Sequence, residues 1–383
     1  MRERIDIFVR EEKLAQNAEK IERLEKTHKF EETDRAPVVV DMQLWASLAG
    51  HKSTFSEISK SPRHHLRGLI LNYKYRYEYI HDDLPVETKK LIVEQDFGAI
   101  RGVEFPMQVV FQGDDQPKTI HMINSPEDID ELAVPDPYSG FNKMRIDWYK
   151  AMSEMVDDFD VRLNGESLEL EITINHPGGP IPSAFALCGS NLFMWMMLDP
   201  DRIHRLMEIV TESHLNCIAY MDEIKGTNPN HNIWVGADTG DLIGPSEFQE
   251  FVVPYYLQLW EHYKYPRVFH MCGKIDHLIE IIRDDFDITY LNGFGFPTDR
   301  HKLADGMAGR VVMRGGPHPV LIQNGPVDAI IAECSDYIRT VGRHGGYILS
   351  EGFGITAGTP PQYISAMVDA SKRAGWVGET LQN

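Results

Sequence analysis

Cysteine is scarce in this 383-residue sequence: Cys188, Cys217, Cys272 and Cys334 are scattered, without the spacing of a disulfide framework. In a chain this long that pattern points to a reducing compartment with individually placed thiols. No stretch reaches roughly 18 consecutive apolar residues, which excludes a membrane-spanning helix. The opening segment up to Lys26 is charged and lacks the apolar core of a secretion signal, so the expected location is cytoplasmic. Cations are in deficit. Lys and Arg number 38 against 58 Asp and Glu, a formal charge of −20. Such a balance repels phosphate backbones and anionic membranes, so neither nucleic acid nor a membrane is expected as partner. It also keeps the protein soluble. Missing too are a G-x-G-x-x-G after a strand, a G-x-S-x-G elbow and a Walker P-loop. Dinucleotide binding, serine nucleophiles and nucleotide hydrolysis therefore lack support.

What is present fits a folded chain, with 42% hydrophobic and 25% charged residues. At this length roughly three quarters of the unfolded surface can be buried, so no metal is needed for folding. A bound metal would point to function. Residues 1–29 read as a charged helix with a narrow apolar stripe of Ile5, Phe8, Val9, Leu14, Ile21 and Leu24. Residues 1–33 are thus expected to form a helical arm, lying on the rest of the chain or on a second subunit of a homodimer. Asp34–Pro37 breaks that pattern and Val38–Met42 reads as a short strand. Leu69–Ile80, with Tyr73, Tyr75, Tyr77 and Tyr79, reads as helical, although its alternating aromatics leave a strand open.

From Leu168 onward, apolar runs rich in β-formers alternate with helical patterns. Leu168–Ile174 precedes Ile203–Ile224, Ile233–Ala237 precedes Ser246–Tyr263, and Arg267–Met271 precedes Ile275–Arg283. Ile288–Leu291 follows, then Val311–Met313 before Val327–Val341, and Tyr347–Leu349 before Pro361–Lys372. Short loops between alternating strands and helices mean parallel strands joined by right-handed crossovers. Most of the runs end in polar residues or glycine: Asn175-His176, Asp238, His270, Asn292, Gly315-Gly316 and Glu351-Gly352. Polar groups at the carboxyl ends of successive parallel strands are where a barrel builds its active site. The predicted fold is α/β, a (β/α)8 TIM-type barrel over residues 34–383 with an N-terminal helical extension.

The sharpest chemical feature is Val268-Phe269-His270-Met271-Cys272-Gly273. His270 and Cys272 stand two apart at a strand end, so their side chains share a face. Imidazole and thiolate together are favoured ligands of tetrahedral Zn²⁺, which takes three protein groups in catalytic sites. Asp238 ends the preceding strand and Glu351 the last one, and each is a candidate further ligand. His176, in the loop Asn175-His176-Pro177-Gly178-Gly179-Pro180, is a candidate substrate contact. So are Asn292 and Phe294 in Asn292-Gly293-Phe294-Gly295-Phe296, where glycine lets backbone approach a ligand. Phe185 and the run Phe193-Met194-Trp195-Met196-Met197 could border the mouth and face a flat aromatic or corrinoid surface.

Several short segments, in order, resemble the uroporphyrinogen decarboxylase superfamily. They are Asp34-Arg35-Ala36-Pro37-Val38, Gly179-Pro180 with Leu198-Asp199-Pro200, Ile243-Gly244-Pro245-Ser246-Glu247-Phe248 with Val253-Pro254-Tyr255-Tyr256, His270-Met271-Cys272-Gly273 and Gly358-Thr359-Pro360. Decarboxylases of that superfamily carry an arginine-rich stretch after the first strand. Here the stretch reads Asp41-Met42-Gln43-Leu44-Trp45-Ala46, without a cation, and Met42 and Trp45 become candidate substrate contacts. The His-x-Cys-Gly motif is similar instead to the corrinoid-dependent methyltransferases, which hold zinc through that histidine, that cysteine and a later cysteine. Phe353 stands where the later cysteine would be, another candidate substrate contact. The zinc site is then expected to be completed by carboxylate, a harder set suited to oxygen.

The resemblance implies an O-demethylating enzyme in which His270, Cys272 and Asp238 are catalytic. It would move a methyl group from a small methoxylated, aromatic substrate to cobalamin. The chain has no Asp-x-His-x-x-Gly signature for holding the corrinoid itself, so a separate corrinoid protein is implied as partner. Other methyl donors (a methylamine or a thiol), a decarboxylase-like lyase and a non-catalytic corrinoid-binding protein are the alternatives.

Overall fold

Alternating burial along the strand Val268–Met271 shows how the chain aims its functional side chains. Phe269 and Met271 are fully buried, whereas Val268 and His270 are partly exposed on the opposite face, as the two-residue period of a strand requires. The computed structural model describes residues 2–42, 44, 54–111, 116–227, 233–352 and 354–376. The chain forms two compact units, one of Met1–Asp96, Tyr149–Thr173 and Asn292–Asn383, the other of Phe97–Trp148 and Ile174–Leu291.

In the second unit, Trp234–Gly236 pairs in parallel with Val268–Met271, and Gly236 stands opposite His270. The crossover between them carries the helices Pro245–Phe251 and Val253–His262. Each has proline in its first turn, where the missing N–H has no helical partner in any case. Behind the strands lies an aromatic wall in which the Phe286 ring sits 5.5 Å from Tyr256, 5.2 Å from Trp260 and 5.2 Å from Phe269. Such pairs add about 0.5–1.5 kcal/mol each beyond their buried area, which makes a rigid backing for the strand that carries His270.

In the first unit, Val312–Gly315 pairs in parallel with Tyr347–Leu349, and Lys90–Glu94 with Glu169–Thr173. Val38–Met42, expected as a strand, contributes only a parallel bridge from Val38 to Leu349. The reason is local: side-chain carboxylates take its amides, Val38 N–H going to Asp83, Val40 N–H to Asp82 and Asp41 N–H to Glu351.

The N-terminal segment departs from the helix expected over residues 1–29. Glu3–Ile7 is a strand paired in parallel with Phe159–Leu163, because Ile5 and Ile7 recur with period two. Helix begins at Glu11–Ala15 and resumes over Asn17–His28. The expected apolar stripe is not the buried face of the longer helix. Lys20, Arg23 and Thr27 are buried, while Ile21 is 47% exposed. The tyrosine-rich run lies in a helix, Pro62–Tyr79, whose N-cap Ser61 accepts from the His64 N–H. The helix expected over Ile275–Arg283 is reduced to turns ending in a π-helical turn, Ile281–Asp285. Among the described residues no single helix is long and apolar enough to cross a membrane.

Candidate metal centre

The parallel register that sets Gly236 opposite His270 also brings Asp238, two residues past its strand, level with Cys272. The Cys272 thiol donates to Asp238 Oδ1 at 3.1 Å and the Cys272 N–H to the same oxygen at 3.2 Å. His270 Nε2 lies 3.4 Å from that oxygen. One nitrogen, one sulfur and one carboxylate oxygen thus fall within 4.8 Å of one another. All three residues are partly exposed, so a ligand can reach them.

Their electrostatics fit a cation. Burial works to raise the pKa of Asp238, but His270 and the two hydrogen bonds from Cys272 outweigh it and hold the carboxyl below its usual range. The Cys272 thiol moves the other way. Burial, then the negative charge of Asp238, pushes it well above the ordinary thiol range. Thiolate and carboxylate this close repel each other unless positive charge stands between them. Zn²⁺ accepts imidazole, thiolate and carboxylate, removes the thiol proton and keeps a fourth position open in catalytic sites. Asp238, His270 and Cys272 match that donor set.

Two glycines make room around the group. The Gly236 N–H donates to the Gly178 carbonyl at 2.5 Å. Over Gly236 lies the Trp234 ring, whose centroid is 5.2 Å from that of His270. A Cβ on Gly236 would stand 3.1 Å from the Trp234 ring, and one on Gly178 would stand 2.5 Å from Arg101 Nε. Next to them, a Cβ on Gly179 would meet the Gly236 carbonyl oxygen at 2.0 Å, so no larger residue fits the turn. The Tyr256 hydroxyl donates to that same carbonyl at 2.6 Å and fixes it. Among the described residues Arg101 forms no salt bridge. Its guanidinium donates to the Ile100 carbonyl at 3.2 Å, while its charge helps keep Asp238 ionised.

Trp234 and Arg101 were not expected at the site. Trp234 carried a usable signal, since it stands two before Gly236 and four before Asp238 on one strand face. Arg101 lies where no regular periodicity leads to it.

The other candidates are described within their own units. Glu351, 3% exposed, belongs to the first unit and is not one of the three clustered donors Asp238, His270 and Cys272. It accepts from the N–H groups of Asp41 at 3.1 Å and Gly354 at 3.0 Å and from the Ser350 hydroxyl at 3.0 Å. Burial, then the charge of Asp41, raises its pKa to about 7, against the opposing charge of Arg314. Asn292 accepts from that arginine at 3.3 Å. Phe294 is corrected from substrate contact to core: it is fully buried, with ring centroids 6.2 Å from Tyr337 and 6.5 Å from Tyr347. Met42 is also buried, its carbonyl accepting from Asn72. His176 lies 3.4 Å from Asp222 and 3.3 Å from Lys225, against the end of the helix Pro200–Lys225. Trp45 and Phe353 lie outside the described residues. Of the sulfur-rich helix Asn191–Leu198, Trp195 and Met196 are buried, while Met194, Met197 and Leu198 are exposed.

Residues 19–374 match the family described as Uroporphyrinogen decarboxylase (URO-D). A uroporphyrinogen decarboxylase of Anaeromyxobacter sp. (strain Fw109-5) is 26% identical over 279 residues, spanning 69% of this chain and 73% of that protein. One from Burkholderia pseudomallei (strain 1106a) is 24% identical over 284 residues, spanning 69% and 72%. Among solved structures, a methyltransferase from Methanosarcina mazei is similar in fold, with a TM-score of 0.65 at 19% identity over 92% of this chain and 97% of that one. With its fold that of an α/β, (β/α)8 TIM-type barrel, the chain belongs to the uroporphyrinogen decarboxylase (URO-D) family.

Proposed function

We propose that this chain is a zinc-dependent methyltransferase that moves a methyl group from a methoxylated aromatic substrate to the cob(I)alamin of a separate corrinoid protein. The observation that carries this reading is the convergence of Asp238, His270 and Cys272 within 4.8 Å. The structural neighbour from Methanosarcina mazei, itself a methyltransferase, agrees with it. A decarboxylase acting on a porphyrinogen with many carboxylates needs several fixed cations, and the stretch Asp41–Ala46 supplies none.

Zinc, when bound by these three residues, supplies a Lewis acid for the ether oxygen. The chain's own residues do the rest. Transfer of the methyl group leaves the ether electron pair on oxygen, so the site must tolerate a developing phenolate. Trp234, 36% exposed and set against His270, offers a flat face to an aromatic ring. Arg101 offers a fixed guanidinium to an anionic substituent of the substrate. The exposed Met194, Met197 and Leu198 form an adaptable apolar surface suited to a protein partner.

The test is direct. Purified protein is mixed with cob(I)alamin and a panel of methoxylated arenes, methanol and methylamines, and methylcobalamin is followed by its absorbance. Formation from the arenes, lost in Cys272→Ala, is the expected result. Formation only from amines, or an undiminished rate in Cys272→Ala, contradicts the reading.

A further inference from the structure

The helix Asn17–His28 turns its cations inward. Lys20 and Arg23, with Lys13 from the preceding helix, are all less than a tenth exposed, while Ile21 faces solvent. Hydrophobic burial cannot explain that orientation. The cations line a cavity of about 450 Å³ together with Arg35, Asp82 and Asp83.

The charges around the cavity do not balance. Arg35 grips Asp83 through two hydrogen bonds at 2.7 and 2.8 Å, and Arg23 reaches the same carboxylate at 2.9 Å. Arg76 takes Asp82 at 2.5 Å. Backbone N–H groups of Val38 and Val40 occupy the two aspartates further. Lys13 donates to the carbonyls of Arg76, Tyr77 and Ile80 at the end of the helix Pro62–Tyr79. Among the described residues Lys20, 4% exposed, forms no hydrogen bond and no ion pair, and only the more distant charges of Asp82 and Asp83 act on it. Five buried cations, Lys13, Lys20, Arg23, Arg35 and Arg76, therefore face two buried carboxylates. Glu12 and Glu19 border the cavity on its exposed side, and Asp34, also exposed, accepts from Arg23 at 2.6 and 2.9 Å, so two of the five cations stay unmatched. Burial pulls Lys20 below its ordinary pKa and Lys13 down to about 7, with the aspartates opposing. A buried ammonium without a partner is strongly unfavourable.

We infer that this cavity is an anion-binding site that takes a phosphate group, free or carried on a small molecule. A carboxylate would offset one of the surplus positive charges, whereas a phosphate dianion offsets two. Lysine and arginine are also the groups that bind phosphate. The volume exceeds that of a bare oxyanion and lies in the range of about 300–1,000 Å³ used for small ligands. None of its residues belongs to the Asp238–His270–Cys272 group, so the inference stands apart from the methyltransferase reading.

The experiment uses the full chain, with thermal denaturation and isothermal titration calorimetry in inorganic phosphate or adenosine diphosphate. Potassium chloride at matched ionic strength is the control. Saturable phosphate binding tighter than about 1 mM, with a rise in Tm beyond that in chloride, is expected. Lys20→Met fills the same space without charge and should weaken phosphate binding at least about tenfold, while His270→Ala should leave it unchanged. Tighter binding of the diphosphate identifies a phosphorylated metabolite as occupant, and equal binding identifies the free oxyanion; either result upholds the site. Stabilisation no greater than in chloride, or wild-type phosphate affinity in Lys20→Met, overturns it. The wild-type titration decides the matter alone should that variant fail to fold.

Discussion

Asp238 Oδ1 accepts both the thiol and the backbone N–H of Cys272, at 3.1 and 3.2 Å. A single carboxylate oxygen therefore ties together the ends of two neighbouring parallel strands, with His270 Nε2 at 3.4 Å. The arrangement follows from register. Once Gly236 stands opposite His270, the next outward-facing position on each strand is 238 and 272.

This contact sets the reactivity of the thiol. In metal-free protein Cys272 ionises well above the ordinary range, through burial and then through the Asp238 charge. Asp238→Asn removes the second cause, so its thiol should be alkylated by iodoacetamide at lower pH than in the wild type. Cys188, Cys217 and Cys334 are buried, which leaves Cys272 to dominate the signal. An alkylation profile unchanged by the substitution would refute the coupling.

Arg101 provides a test of substrate choice. Replacing a guanidinium that pairs with a charged group removes about 1.5–3 kcal/mol, so Arg101→Gln should raise KM for methoxybenzoates about tenfold or more. With kcat preserved, the lost interaction is one made equally in the ground and transition states. Neutral methoxyarenes should be unaffected. Equal losses for charged and neutral substrates would remove Arg101 from substrate recognition.

Glu351 makes stability fall as pH rises. Its folded pKa of about 7 lies above the ordinary 4.5, so between these values the unfolded chain holds fewer protons than the folded one. The folded state is then progressively disfavoured from about pH 4.5 to about pH 7, and the effect is level above. Glu351→Gln should flatten this part of the profile and be the more stable protein at pH 8, by roughly 1–3 kcal/mol relative to its difference at pH 4. Urea denaturation at the two pH values reads the difference; parallel profiles would contradict the raised pKa.

The convergence of Asp238, His270 and Cys272 was legible because it depends on local rules. Strand periodicity aims His270 and Cys272 together, and the alternation of strands with helices puts Asp238 on the adjoining strand end. Phe294 was misread because its flanking glycines look like a loop, whereas the residue ends the strand Tyr290–Phe294 and packs on Tyr337 and Tyr347 from far along the chain. Glu351 stands at a strand end as expected, yet its oxygens are taken by the amides of Asp41 and Gly354. The first strand was missed although Ile5 and Ile7 alternate, since its partner Phe159–Leu163 is remote in sequence. For the same reason nothing in the helix Asn17–His28 signals that Lys20 and Arg23 face inward. Asp82 and Asp83, which make that possible, come from after the next long helix.

Metal analysis of the purified protein tests the central claim most directly. Mass spectrometry after dialysis against zinc and then buffer should find about one zinc per chain. That zinc should be lost from His270→Ala and from Cys272→Ala, while both variants keep the wild-type circular dichroism spectrum. A wild-type chain that retains no zinc, or a His270→Ala variant that retains all of it, would show that these residues do not share a metal.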